Sequence, residues 1–316
     1  MKQSHTEFLG KLRDPLSGEL LKVQAAGFAI ESGKEICSIS ESGIPQFAKE
    51  FCSDDAERQK QHYDRVSVAY IENLSYPHTE VYTEYLDNIF LNALKNKDLG
   101  DIGEICCGRG EALRLLLGQE SIKINLGLGV DISMNMLEAA REDLKDERLY
   151  FAQGDATKLP IAKDSFDNVF MFGGIHHVND RDSLFSEVFR ILKPGGHFYY
   201  REPLDDFILW RVLRAVIYKL SPALDHLTER PLRYQETIPM LKKVGFQSLL
   251  FRSCGFIGFC FLMNSDVLMV NRLFRFIPGI RAFTKLWTWI DEIFLKIPGL
   301  RGAGTQVVGV ARKPEE

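Results

Sequence analysis

Apolar and polar residues alternate along the middle of the chain in blocks that predict strands and helices in turn. Short, almost continuous apolar runs are typical of strands buried in a parallel sheet, and longer runs with apolar residues three and four apart are typical of helices. The predicted strands are 101–106, 126–130, 149–153, 168–172 and 197–201, and the predicted helices between them are 111–118, 134–143 and 182–192. This alternation predicts an α/β fold with a mostly parallel sheet and helices on both of its faces.

The pattern changes on both sides of this block. The first fifty residues hold short apolar runs separated by glycine and proline, which predicts a small strand-rich unit. Beyond residue 202 we expect an inserted helical segment, a short helix at 238–244, closing strands at 246–252 and 305–312, and a long apolar and aromatic insertion between those strands. We therefore divide the chain into a unit at 1–50 and a domain at 51–316, with insertions at about 204–238 and 255–304.

Composition narrows the class of protein. The chain has 316 residues, of which 45% are hydrophobic and 26% charged, enough for a core that encloses a pocket. Its net charge of −4 gives no overall attraction to nucleic acid. Neither a secretory leader nor a run of about 18 apolar residues is visible. The six cysteines form no Cys-x-x-Cys pair, so we expect reduced thiols, no bound metal and a cytoplasmic location.

Candidate chemistry begins at residues 104–111, EICCGRGE, where a predicted strand turns into a helix. Glycine there permits a sharp bend and close approach of a ligand, and the helix that follows presents free N–H groups. Asp131 follows by about twenty residues, where a carboxylate can accept both hydroxyls of a ribose, and Asp155 ends the next strand. Each aspartate alone could be a helix cap. With Glu104, three acids at the ends of successive strands indicate one ligand site instead.

Several ordered motifs carry a resemblance to a known family. Residues 129–137, GVDISMNML, resemble the segment after the first motif of class I S-adenosylmethionine-dependent methyltransferases. Later stretches are similar to the elements that follow it: GDA at 154–156, LP at 159–160, FD at 166–167, IHHV at 175–178 and LKPGG at 192–196. The likeness covers about 63–201 and is closest to the ubiquinone/menaquinone and small-molecule branch. It implies a doubly wound, mostly parallel sheet of seven strands.

The resemblance also implies S-adenosylmethionine as cofactor, S-adenosylhomocysteine as product, and a role for each matching residue. The backbone around Cys106, Gly108 and Gly110 would surround the methionine part, and Glu104 is also counted among the cofactor-binding residues. Asp131 would hold the ribose, Ile132, Asp155 and Ala156 the adenine, and Phe172 and Gly173 would lie near the sulfonium. Tyr63 and Tyr70 would either lid the cofactor or pack in the core.

Two residues depart from the family pattern. Cys106 stands where glycine is usual, which preserves close approach provided that the residue does not need a positive φ. Arg109 replaces a small or polar residue, and would either meet a carboxylate of cofactor or substrate or remain solvated.

Methyl transfer is an in-line displacement that needs a base only if the acceptor loses a proton. His177 and Glu202 are the candidate catalytic residues, with His176 beside them. The histidines are more often packing or cofactor-shell residues than bases in such a stretch, and Glu202 could form a structural salt bridge with Arg201.

The appendages leave alternatives open. Residues 1–50 faintly resemble a zinc-ribbon-like module, but with at most one ligand cysteine we expect a metal-free remnant used for packing or partner contact. The 255–304 insertion would complete the core, form a homodimer contact, line an apolar substrate tunnel or rest on a bilayer. We therefore favour a methyltransferase acting on a hydrophobic or lipid-like small molecule. The alternatives are an RNA or protein methyltransferase, a non-catalytic cofactor-binding module, or an enzyme that uses the cofactor for another group transfer.

Overall fold

A seven-stranded sheet forms the centre of the computed structural model, which describes residues 3–24, 27–61, 75–220, 229–262 and 271–315. Its strands are β4 (Asp101–Ile105), β5 (Leu126–Asp131), β6 (Leu149–Gln153), β7 (Phe166–Phe172), β8 (Leu192–Pro203), β9 (Gln247–Cys254) and β10 (Gln306–Arg312). They lie in the order β6-β5-β4-β7-β8-β10-β9. The first five are parallel, and β10 is antiparallel to both β8 and β9. The predicted doubly wound, mostly parallel sheet is confirmed.

Helices cover both faces of this sheet. The principal ones are α1 (Gln3–Lys11), α2 (Pro77–Ala93), α3 (Glu111–Leu117), α4 (Met134–Asp143), α5 (Arg181–Ile191), α6 (Ile208–Leu220), α7 (Tyr234–Val244), α8 (Ile257–Leu262) and α9 (Ile280–Lys296). Alternate side chains of a strand point to opposite faces, so in β7 Val169 and Met171 join the core beneath α1, α5 and α7. Phe170 and Phe172 join the core beneath α2 and α3.

A small antiparallel sheet lies in the N-terminal unit, formed by β1 (Lys22–Val23), β2 (Gly27–Ala29) and β3 (Glu35–Ser38). The unit packs along β6, the edge strand of the main sheet. The Gln153 amide donates to the Pro45 carbonyl (2.8 Å), and the Ala162 amide donates to the Lys11 carbonyl (2.7 Å). The strand edge at β6 is thereby covered rather than exposed to other chains.

The zinc-ribbon resemblance of this unit is not supported. Cys37 is buried in the core, where burial raises the pKa of its thiol to about 12. Across the described residues, no group of three or more His, Cys, Asp or Glu side chains is placed to hold a metal ion.

The insertions form a helical layer, which we define as α6, α8, α9 and the 3-10 turn Asn271–Phe276. Trp210, Phe256, Leu295 and Ala303 form its own small core. Asp291 of α9 is fully buried and accepts from the amides of Phe256, Gly258 and Phe259 at the start of α8, at 2.9 to 3.0 Å. None of the helices in the described ranges has the length and hydropathy needed to cross a bilayer.

Helix α3 begins in an unusual way. Its N-cap residue is Gly110, which has a φ of 73° and no side chain to satisfy the first amides. Glu104 of β4 supplies the cap instead, since its carboxylate accepts from the Ala112 amide (2.8 Å) and the Leu113 amide (2.9 Å). Burial nevertheless raises the pKa of Glu104 to about 8.

This burial predicts a pH-dependent stability. The folded chain keeps the Glu104 proton up to about pH 8, whereas the ordinary pKa in the unfolded chain is 4.5. Stability must therefore fall as pH rises between these values, by up to about 1.4 kcal/mol per pH unit from this group. Urea unfolding of wild type and Glu104→Gln across this range should show a free-energy difference that moves against the wild type as pH rises. Glu120→Gln, at an exposed position, should leave the profile unchanged. A difference that moved in favour of the wild type would contradict the assignment.

Candidate active site

A cavity of about 530 Å³ opens at the carboxyl ends of β4, β5, β6 and β7. Strand order reverses at β4, and the loops diverging there leave a crevice in doubly wound sheets. Of the residues predicted from sequence, the cavity is lined by Cys106, Gly108, Asp131, Ile132, Asp155, Ala156, Phe172, Gly173 and His177. Glu104, Gly110 and Glu202 are absent from its lining, and Tyr63 and Tyr70 lie outside the described residues.

Asp131 ties the two central loops of this cavity together. One carboxylate oxygen accepts from the Gly108 amide (2.8 Å), and the other accepts from the Ser133 amide (2.9 Å). The cap of α4 is Ser133, whose hydroxyl accepts from the Met136 amide, so Asp131 is not that helix cap. Burial raises the pKa of Asp131, and its amide hydrogen bonds oppose this shift. An acceptor group is thus fixed beside the glycine bend.

Asp155 joins the cavity to the segment that follows the N-terminal unit. One of its oxygens accepts from the Ser53 amide (2.8 Å) and hydroxyl (2.6 Å). Its other oxygen accepts from the Thr157 amide (2.8 Å) and hydroxyl (2.6 Å). A carboxylate has about four lone-pair sites, so these bonds fill it. Any further donor at Asp155 must share or replace one of the hydroxyls.

Cys106 adopts the left-handed conformation, with a φ of 51°. The sequence predicted that cysteine could replace glycine here without strain only if residue 106 did not need a positive φ. Its φ is positive, and the left-handed region costs a residue with a Cβ roughly 1–2 kcal/mol. Gly174 packs against it so closely that a Cβ there would lie 2.4 Å from the Cys106 Cβ. At Gly108 (φ 51°) an added Cβ would meet nothing within 4 Å, so open space borders its backbone.

Glu202 stabilises the loop that follows β7. It is fully buried, and one oxygen accepts from the amides of Gly174 and Ile175, both at 2.8 Å. The other contacts His176 Nδ1 at 2.8 Å. Burial raises the pKa of Glu202 to about 7. Burial, and then the charges of Arg214 and Arg181, lower the pKa of His176 to about 3, so its imidazole is neutral. When Glu202 is ionised it can only accept, and Nδ1 is then the donor.

Arg201 does not pair with Glu202 as one sequence alternative supposed. Adjacent strand residues point to opposite faces of a sheet. Arg201 therefore pairs with Asp87 of α2 (2.5 Å) and lies over the Phe172 ring, 4.2 Å from its centroid.

Comparisons with known proteins agree with this geometry. Residues 103–200 match a family model described as a methyltransferase domain. The demethylmenaquinone methyltransferase of Leptospira interrogans is 34% identical over 176 residues, which cover 48% of this chain and 70% of that protein. The chain belongs to the S-adenosylmethionine-dependent methyltransferases.

Solved structures support the fold of this methyltransferase. The [4+2]-cyclase SpnF has a TM-score of 0.55 at 17% identity, covering 83% of this chain and 97% of the cyclase. Phosphoethanolamine N-methyltransferase 2 of Haemonchus contortus, solved with S-adenosyl-L-methionine, has a TM-score of 0.52 at 20% identity, covering 84% of this chain and 61% of the other. At these identities the likeness concerns the fold alone.

Sequence reasoning missed part of the methyltransferase cavity. Phe51, Ser53, Asp55, Ala56 and Gln59 line it from the segment that follows the N-terminal unit. Ser53 lies 102 positions from Asp155, so no local spacing could link them. Its one sequence signal is a serine directly before a helical stretch, the usual N-cap arrangement. Arg109 also lines the cavity, and it pairs with Asp143 at the end of α4, which neither sequence alternative included.

The strain at Cys106 predicts a graded response to substitution. Cys106→Gly should leave the free energy of unfolding within about 1 kcal/mol of wild type, because relief of the left-handed strain offsets the lost thiol packing and the greater entropy of glycine. Cys106→Val should destabilise the methyltransferase by about 2 kcal/mol or more, because a branched Cβ at positive φ must also crowd Gly174. Chemical denaturation of both variants measures this, with Cys260→Val in α8 as the matched control. Equal stabilities for the Gly and Val variants would refute the strain.

Proposed function

We propose that this enzyme transfers a methyl group from S-adenosylmethionine, held in the cavity described above, to a hydrophobic, lipid-like small molecule. The observation that best supports this proposal is the hydrogen bond from the Gly108 amide to the Asp131 carboxylate (2.8 Å). Both residues line the cavity that opens where the strand order reverses. A carboxylate at the end of the second strand beside a glycine bend is suited to a ribose.

The described residues fit the cofactor. A Cβ at Gly108 would enter open space, which allows the methionine part to approach the backbone. Asp131 would accept from the ribose hydroxyls, and Ile132 and Met136 offer apolar surface to the adenine. The adenine amino group would share Asp155 with the hydroxyls of Ser53 and Thr157.

The cofactor supplies an electrophilic methyl group, so the protein has chiefly to align the acceptor and exclude water. A carbon or oxygen acceptor must also lose a proton. His177 lines the cavity and is the group we assign to that proton. Glu202 is buried away from the cavity with its oxygens committed to residues 174–176, so we assign it to positioning that loop.

Two observations support a lipid-like acceptor. The Leptospira relative is named for a demethylated menaquinone, an apolar quinone. The helical layer of this chain, whose α6 follows β8 and whose α8 and α9 lie between β9 and β10, carries many exposed apolar side chains. Since the same fold occurs in a [4+2]-cyclase, the fold by itself does not set the reaction, and methyl transfer needs its own test.

Asp131→Asn should weaken S-adenosylmethionine binding about 100-fold, because a charged acceptor for two hydroxyls is replaced by an amide whose NH₂ must face the donor amide of either Gly108 or Ser133. Titration calorimetry with S-adenosylmethionine and S-adenosylhomocysteine measures the change. Asp146→Asn is the matched control, since that carboxylate contacts Arg148 outside the cavity. Thermal unfolding shows whether both variants are folded. An unchanged Kd in a folded Asp131→Asn protein would overturn the cofactor assignment.

The acceptor class is tested with methyl-labelled S-adenosylmethionine and a fractionated cell extract. We expect label in the organic-solvent fraction that contains quinones, and little with Asp131→Asn. Label in RNA or protein would refute the lipid-like acceptor while preserving methyl transfer. Tight cofactor binding with no labelled product in any fraction would refute methyl transfer itself.

A further inference from the structure

The helical layer exposes apolar side chains that nothing in the described chain covers. Among the described residues, fifteen of the nineteen exposed large apolar side chains lie in this layer or the turns that adjoin α9. On α6 they are Ile208, Leu209, Val212, Leu213 and Val216, and on and around α9 they include Phe283, Leu286, Trp289, Ile293 and Ile297. Monomeric proteins in water seldom expose so many apolar side chains together, and such a patch marks an interaction surface.

These side chains form stripes rather than scattered points. On α9 the exposed positions recur every three or four residues, so they run along one face of the helix. The opposite face holds Ile280, Thr284, Asp291 and Leu295, which are buried. Trp210 of α6 packs on Phe256 with ring centroids 5.5 Å apart, and Phe256 packs on Phe294 of α9 at 5.9 Å. The two stripes therefore belong to one connected layer.

The two helices that carry the stripes hold more basic than acidic side chains, and Glu80 and Glu84 of the neighbouring α2 pair with Arg281 of α9. Helix α6 contains no acidic residue. Of the two acids in α9, Asp291 is buried, and Glu292 accepts from Tyr85 Oη (2.5 Å) and pairs with Arg252 (3.0 Å). Lys285 and Lys296 of α9 are exposed on the flank of the apolar stripe. In a chain whose net charge is −4, this local basic excess complements an anionic surface.

We infer that the stripes of α6 and α9 dock this enzyme on an anionic lipid bilayer, with the apolar side chains at the acyl boundary and the lysines at the headgroups. An amphipathic helix with aromatic and aliphatic residues beside lysine lies in the interface plane and binds by apolar burial together with attraction to anionic lipid. Exposed tryptophan is suited to this boundary, and Trp289 is 62% exposed.

The helical layer lies beside the cavity, so docking on a bilayer would serve the proposed reaction. Helix α6 begins five residues after β8 ends. Its Arg214 lies close enough to His176 to influence that imidazole, and His176 adjoins the cavity residue His177. A bilayer on this layer would bring membrane-dissolved molecules near the cavity. This extends the proposed acceptor class, but the docking itself rests on exposed residues and is measurable without cofactor or acceptor.

Flotation of the full chain on a density gradient tests the inference. With vesicles of phosphatidylcholine and phosphatidylglycerol the protein should float, and with phosphatidylcholine alone, or at high salt, it should float much less.

The double variant Leu286→Ser/Trp289→Ser should lose flotation. Leu20→Ser, an exposed apolar residue of the N-terminal unit, should retain it. Lys285→Glu/Lys296→Glu should weaken vesicle affinity by about five-fold or more per lysine, and Lys145→Glu/Lys163→Glu should not.

A second readout identifies the surface that binds. Brominated lipids should quench tryptophan fluorescence in the wild type, and Trp289→Phe should lose most of that quenching while still floating. No flotation with anionic vesicles would overturn the inference. So would a dimer in light scattering that Leu286→Ser/Trp289→Ser converts to monomer without any vesicle binding, because a second copy would then be the occupant. Either result leaves the calorimetric test of the cofactor site intact.

Discussion

At β4 the chain reverses the direction in which it adds strands, so that β5 and β6 lie on one side and β7 and β8 on the other. The loops leaving β4 and β7 consequently diverge, and the space between them cannot be filled by a crossover helix. A parallel sheet also brings all its carboxyl ends to one edge. The cavity follows from these two constraints before any particular side chain is considered.

Buried carboxylates then fix the backbone around that space. Glu104 caps α3, Asp131 holds the Gly108 amide, and Glu202 holds residues 174–176. In each case a carboxyl group on a strand accepts from backbone amides of the first turn of a helix or of a loop nearby. Burial costs each carboxyl free energy as an ion, which is why the pKa values of all three are raised. The hydrogen bonds from the amides offset part of that cost, and they hold the loops rigidly enough to present their backbone to a ligand.

Local periodicity predicted much of this architecture because the strands are fully buried and the helices amphipathic. The bounds of α4 and β6 agree with prediction to the residue, and β4 and β5 to within one. Helix α7 begins at Tyr234 rather than 238, with Pro239 inside it, because tertiary packing of Ile238 and Leu241 outweighs the amide that proline lacks. Helix α1 was not predicted, since its contribution to the core rests on few apolar positions such as Phe8.

Site residues were predictable where a strand end placed them and unpredictable where a distant contact did. Asp131 and Asp155 lie at the predicted edge of the sheet because parallel strands put them there. Glu202 also ends a strand, yet which face it points to depends on a one-residue register that spacing does not reveal. Ser53 reaches Asp155 from a segment that only the folded chain brings near.

The apolar stripe of α9 is exposed for a definite reason. A helix with apolar residues on two faces could turn about its axis to bury either of them. Asp291 prevents this, because its carboxylate accepts from three amides of α8, and turning the helix would leave a buried charge and three buried donors unpaired. Breaking such a buried group costs several kcal/mol, and the same turn would expose Ile280 and Leu295, which are now buried. The buried hydrogen bonds of Asp291 therefore fix the rotation of α9 about its axis, and its apolar stripe faces outward whether or not a partner covers it.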